Sequence, residues 1–250
     1  MMAAAPLSRR SWLADAMATL AGLAASSPGF GAQTALESRA VSGVHSLLWD
    51  AAGELAIEQT NREHLTIEAE PAVLAKIVTE VRQGRLSISF APGRIETRQQ
   101  IRFRLEVKTL AALESRGSGT LRIGPLSTAT LSLRLGGSDE LHLARLLAQS
   151  LDVRLDGSGD VTIEGGLVDR QRVVIAGAGN YSATRLASRQ ADVAIDGSGE
   201  LRLAVSERLG ATIAGSGDVL FVGQPRVTQT VTGAGEVRRL RGLEAPAQKP

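Results

Sequence analysis

The sequence predicts an all-β protein, a parallel β-solenoid of about seven coils of ~20 residues with an N-terminal cap holding one short helix. Three observations carry that prediction. Glycine triplets begin at Gly117, Gly137, Gly157, Gly177, Gly197, Gly215 and Gly233, spaced 20, 20, 20, 20, 18 and 18 residues apart. Aliphatic residues fall in register on both sides of every triplet. With aromatic content of 3% and no cysteine, side-chain stacking of aliphatics is the available source of a core.

Residues 1–35 read as an export signal. Ser8-Arg9-Arg10-Ser11-Trp12-Leu13 resembles a twin-arginine motif, with Arg9 and Arg10 as the pair, and an Ala/Leu-rich stretch follows. That stretch is too short to span a bilayer as a helix, so no integral membrane segment is expected in the mature chain. The expected location is periplasmic or extracellular.

Residues 36–110 read as N-terminal strands and a capping helix. Alternation marks strands around Val44–Leu47, Glu54–Ile57, His64–Glu68, Arg85–Phe90 and Ile101–Val107. Between them the composition from Pro71 onward suggests a helix over 72–81, with Pro71 in its first turn and Gly84 beyond its end.

Residues 111–241 carry the repeats, continuous with the cap as one domain. Two residues before each triplet stand Ser115, Leu135, Leu155, Ile175, Ile195, Ile213 and Val231, and four before stand Leu113, Leu133, Val153, Val173, Val193, Ala211 and Gln229. Four after its first glycine stand Leu121, Leu141, Val161, Tyr181, Leu201, Val219 and Val237, and six after stand Ile123, Leu143, Ile163, Ala183, Leu203, Phe221 and Arg239. Each unit is therefore strand, turn, strand, and the match between units one period apart requires parallel stacking at ~4.8 Å per rung. The turn glycines are Gly117, Gly119, Gly157, Gly159, Gly177, Gly179, Gly197, Gly199, Gly215, Gly217, Gly233 and Gly235. A tight corner needs positive φ or close backbone approach, and glycine supplies both. Polar substitutions in the last columns, Gln229 and Arg239, blunt the final rung. Residues 242–250 read as a disordered tail.

The stretch Glu80-Val81-x-x-Gly84-x-Leu86-x-Ile88, followed by serial units such as Asp156-Gly157-Ser158-Gly159-Asp160-Val161, resembles the family called putative auto-transporter adhesin, head GIN domain. The resemblance covers roughly residues 41–240. It implies an exported β-solenoid and carries over no catalytic residues. The ten residues after Leu240 leave no room for a translocator barrel of at least eight amphipathic strands, so surface display is expected to need a separate route.

Chemistry is sparse. The residue after each triplet is Thr120, Glu140, Asp160, Asn180, Glu200, Asp218 or Glu236. Stacked acids repel, and a cation between rungs would relieve them. Asp160, Glu200 and Asp218 are the calcium candidates on that account; the competing account is a solvated edge relaxed by Arg122 and Arg202. The assignment made is no metal and no cofactor. Ser118, Ser158, Ser198 and Ser216 read as turn residues rather than nucleophiles. His45, His64 and His142 lack metal-ligand spacing. A formal charge of +2 gives no field for nucleic acid. The expected function is a non-enzymatic cell-envelope module whose repetitive face, with Arg134, Arg154, Thr212 and Thr230, binds an envelope protein or polysaccharide. A carbohydrate-active enzyme and a calcium-stabilised self-associating module are the alternatives.

Overall fold

The computed structural model describes residues 34–241. The segment with Arg9 and Arg10 and the tail from residue 242 lie outside them. The N-terminal elements are β1 (Ala35–Ala40), β2 (Ser46–Asp50), β3 (Ala52–Gln59), β4 (His64–Ala69), α1 (Pro71–Leu74), β5 (Ile77–Arg82), β6 (Arg85–Phe90) and β7 (Arg102–Val107). The repeats form β8 (Ala112–Ser115), β9 (Ser118–Ser127), β10 (Thr130–Leu135), β11 (Glu140–Leu155), β12 (Asp160–Ile163), β13 (Gly166–Ile175), β14 (Tyr181–Ile195), β15 (Glu200–Ile213), β16 (Asp218–Val222), β17 (Arg226–Val231) and β18 (Val237–Arg239).

All pairings among the repeats are parallel and follow the sequence columns. Leu113, Leu133, Val153, Val173, Val193, Ala211 and Gln229 are successive partners, seven rungs with six full turns between them. Leu121, Leu141, Val161, Tyr181, Leu201, Val219 and Val237 stack likewise on the second face. A third side, which the columns did not mark, joins Leu126 to Leu146 and Gly166 to Leu186. The columns meet in one continuous core. Each fully buried Leu or Ile contributes about 2–3 kcal/mol, and stacking spares every rung but the last from exposing them.

The predicted helix over 72–81 is one turn only. Ile77–Arg82 is a strand, paired antiparallel with β6 in a hairpin that places Val81 opposite Leu86. The reason is local: Ile77, Val78, Thr79 and Val81 are β-branched, and Gln83 and Gly84 take φ of 50° and 76°, the backbone of a two-residue hairpin turn. The turn glycine read as a helix stop is thus a hairpin glycine. The first strand begins at Ala35, one residue inside the segment assigned to the export signal.

The cap is not simply stacked before the repeats. β2 and β3 are themselves a rung, with Leu47 beside Leu113 and Leu55 beside Leu121. Their other edges pair with β6 and β7, so the chain lays down one rung, builds the cap on its outer side, and returns to start the repeats. Antiparallel β4 and β1 then close the second face. Arg39, half-buried, ties this closure together by donating to the carbonyl of Ile77 at 2.9 Å and to Thr79 Oγ1 at 3.0 Å.

The corners owe their glycines to contact between rungs. A Cβ at Gly157, Gly177, Gly197, Gly215 or Gly233 would lie 2.1 Å from the carbonyl oxygen of the glycine one rung below. Of the triplet glycines only Gly119 has positive φ, at 148°. Close approach is therefore the operative requirement. It lets the corner peptides bond along the axis: Ser158, Ser198 and Ser216 donate their backbone N–H to Gly137, Gly177 and Gly197 at 3.2, 3.2 and 2.9 Å.

Candidate binding face

The first face of the solenoid turns two columns of side chains outward. One runs Glu114, Arg134, Arg154, Val174, Ala194, Thr212 and Thr230, in unbroken register. All four residues expected on a repetitive face, Arg134, Arg154, Thr212 and Thr230, stand in this column and are exposed. Beside it run Ser132, Asp152, Arg172, Asp192, Gly210 and Thr228. Strand alternation produces this arrangement: the aliphatic neighbours point inward, so these residues point out.

The face changes character along its length. Toward the cap it is charged. Glu114 pairs with Arg85 and Arg116, each at 2.6 Å. Partial burial pushes the Glu114 carboxyl up, but Arg116 and Arg85 outweigh it and hold the group below the usual carboxylate range. Farther along, Arg154 pairs with Asp156 at 2.7 Å. Toward the C-terminal end the side chains shrink, and a shallow hollow of about 370 Å³ opens, lined by Arg172, Asp192, Ala194, Gly210, Thr212 and Thr230 among others. Gly210 maintains it: a Cβ there would approach Asp192 Oδ1 to 2.8 Å. The lining offers a guanidinium, a carboxylate and hydroxyls around a small-residue floor, which is donor and acceptor capacity without net charge.

The other sequence candidates sit elsewhere. Asp160, Glu200 and Asp218 lie along the corner of the second face. Asp160 Oδ1 accepts the backbone N–H of Asn180 at 2.7 Å, and Asp218 Oδ1 accepts that of Glu236 at 2.9 Å. Asn180 Oδ1 accepts the N–H of Glu200 at 2.9 Å. The column thus caps the next rung's backbone. Among the described residues no group of three or more His, Asp and Glu gathers as a metal site. His142 bonds Glu140 at 2.9 Å, far from His45 and His64 in the cap. Trp49, Phe103, Tyr181 and Phe221 are buried, so they offer no platform for a sugar ring.

Two polar groups inside the core escaped the sequence reading. Asp139 replaces the second glycine of its triplet and is fully buried. It accepts a hydrogen bond from Ser115 Oγ, which itself stands in an otherwise aliphatic column. Its other oxygen, and the nearby Trp49 indole N–H, form no hydrogen bond, although the indole lies close enough to ease the carboxyl's ionisation. Burial dominates and pushes the Asp139 carboxyl up. The second group is Tyr181, Gln171 and Ser188. Gln171 Nε2 donates to Ser188 Oγ at 2.7 Å, and Ser188 Oγ donates to the Ala204 carbonyl at 2.6 Å. Columns six before the triplets (Leu131, Leu151, Gln171, Ala191, Leu209) and the lone Asp139 were the available signals.

Solved structures share the fold. A putative adhesin from Bacteroides fragilis superposes with a TM-score of 0.80 at 20% identity, covering 84% of this chain and 98% of that one. A putative adhesin from Parabacteroides distasonis gives 0.67 at 19% identity, covering 83% and 97%. A protein named putative lipid binding protein from the same species gives 0.66 at 21% identity, covering 84% and 97%. No curated protein matches in sequence. Among the described residues no helix is long and apolar enough to cross a membrane. The family profile described as putative auto-transporter adhesin, head GIN domain, matches residues 50–225, and the chain belongs to that family.

Proposed function

We propose that the protein is an exported, non-enzymatic cell-envelope module that binds an extended polymer, polysaccharide or protein, along its first face. The observation that carries this reading is the unbroken outward column from Arg134 to Thr230, with the hollow over Ala194 and Gly210 toward its C-terminal end. A flat array that presents a side chain at every ~4.8 Å rung suits an extended ligand, because contact points recur at a fixed spacing along it. The mix of Arg172, Asp192 and threonine hydroxyls favours a polar, uncharged stretch of ligand over a highly anionic one. The family's adhesin name and the arginine pair Arg9-Arg10 support export to the periplasm or the cell surface.

The test is cosedimentation of the protein with cell-envelope fractions, before and after enzymatic removal of polysaccharide or of protein. Ala194→Gln fills the hollow from outside and leaves the core alone. Loss of cosedimentation in that variant supports the face; undiminished binding sinks it. Protease shaving of intact against osmotically shocked cells decides between surface and periplasm.

A further inference from the structure

Among the described residues the far end of the stack is open: β17 pairs on one side only, with β15. Its inward residues Val227 and Val231 are each 38% exposed, whereas Leu209 and Ile213, one rung earlier in the same columns, are 0% exposed. An edge of this kind is a template for another strand.

The edge strand is also a palindrome. Val227-Thr228-Gln229-Thr230-Val231 reads the same in both directions. We propose that this edge is the two-fold interface of a homodimer, in which β17 pairs antiparallel with β17 of a second copy, centred on Gln229. A two-fold contact demands that if one residue faces another, the converse also holds, and antiparallel pairing of a strand with itself meets that demand. In this register Val227 faces Val231 of the second copy, Thr228 faces Thr230, and Gln229 faces itself. The exposed valines of each copy cover those of the other, extending both cores.

Gln229 then gains a purpose. It is the polar member of a column otherwise made of Leu113, Leu133, Val153, Val173, Val193 and Ala211. An amide carries donor and acceptor together, so two of them satisfy one another across the axis. A slip of one residue would turn every side chain to the wrong face and strand the amide, so Gln229 fixes the register as a buried polar residue does in coiled coils. The palindrome sets like opposite like, valine on valine and threonine on threonine, so no apolar side chain of the edge is left against a polar one. The outward Thr228 and Thr230 carry the hydroxyl columns of the binding face across the axis, making it bivalent.

Charge opposes the contact. Arg226, Arg238, Arg239 and Arg241 are exposed at this end against Glu236 alone. The dimer therefore tightens as added salt screens the arginines.

The experiment is sedimentation equilibrium of the full chain over a range of protein and salt concentrations. The expected result is a monomer–dimer equilibrium that shifts to dimer with salt. Gln229→Lys places two ammonium groups on the axis and should raise the dissociation constant by ~100-fold, with the thermal midpoint of the dilute monomer unchanged. The chain lacks cysteine, so Gln229→Cys should cross-link under oxidation while Ser216→Cys, exposed at a corner, should not. A chain that stays monomeric at high protein and salt overturns the proposal, as does a dimer that Gln229→Lys leaves intact.

Discussion

Tyr181 donates its phenolic hydrogen to Gln171 Oε1 at 2.9 Å inside the sealed core. Gln171 passes the bond to Ser188, and Ser188 to the carbonyl of Ala204. This is where the register of β14 on β15 slips, between Ala183 and Ala187 and again between Ser188 and Gln190, and where the repeat shortens from 20 to 18 residues. The chain of hydrogen bonds gives each of these buried polar side chains a partner at the irregularity.

Tyr181→Phe should therefore cost about 1–3 kcal/mol, since it orphans the Gln171 amide oxygen in a dry core. Combining it with Gln171→Leu, the residue type of Leu131 and Leu151 in that column, should recover part of the loss. Urea denaturation of the single and double variants checks this; an additive double variant would mean the two residues are not coupled.

Asp139 should make the fold more stable in acid than at neutrality. Its carboxyl is raised by burial, so the folded state holds its proton more tightly than the unfolded chain. The stabilisation is full below the ordinary carboxylate range and fades as pH rises through the raised value. Asp139→Asn keeps an acceptor for Ser115 without a charge and should gain about 1–2 kcal/mol at neutral pH, with the gain vanishing in acid. Thermal midpoints of both forms across pH would show the curves converge at low pH; parallel curves would refute the assignment.

The corner contacts predict a contrast between two corner glycines. Gly197→Ala puts a methyl 2.1 Å from the Gly177 carbonyl oxygen, so the rungs must part there, at a cost of ~3 kcal/mol or more. Gly136→Ala meets only the Ser115 carbonyl at 3.7 Å and should be nearly neutral. Chemical denaturation of the two variants separates contact from generic loss of glycine, which would penalise both alike.

One column predicts a gradient. Ile175→Asp buries an unpaired charge midway along the stack and should unfold the domain, whereas Val231→Asp, in the same column at the open end, should cost under about 1 kcal/mol in the monomer. Circular dichroism of both proteins is sufficient, and a stable Ile175→Asp would mean the column does not face inward.

The legible part of the fold was the part made by repetition. Because residues one turn apart share an environment, Leu133, Val153 and Val173 announce their stacking in the sequence alone. The cap has no such redundancy. The return of the chain past β2 leaves no periodic trace, and Ile77–Arg82 reads as helix until its partner Arg85–Phe90 is considered. The outward column with Arg134 and Thr212 was visible as polar positions between aliphatic ones. The hollow was not, since it depends on Ala194 and Gly210 meeting across two strands. Buried polar groups such as Asp139 and Gln171 were hidden because a lone polar residue in a column looks like a turn or an edge until its partner across the core is known.

The order of rungs gives the domain a mechanical character. β1 lies at one end of the second face and β18 at the other, so a load applied between these two strands pulls along the stack and across the strands. The ladder bonds then bear it a few at a time, like a zip drawn from one end. Each lost rung pays out about 20 residues, roughly 65–70 Å of extended chain. A module tethering a cell envelope in this direction would lengthen stepwise under tension and shed force before its attachment gave way.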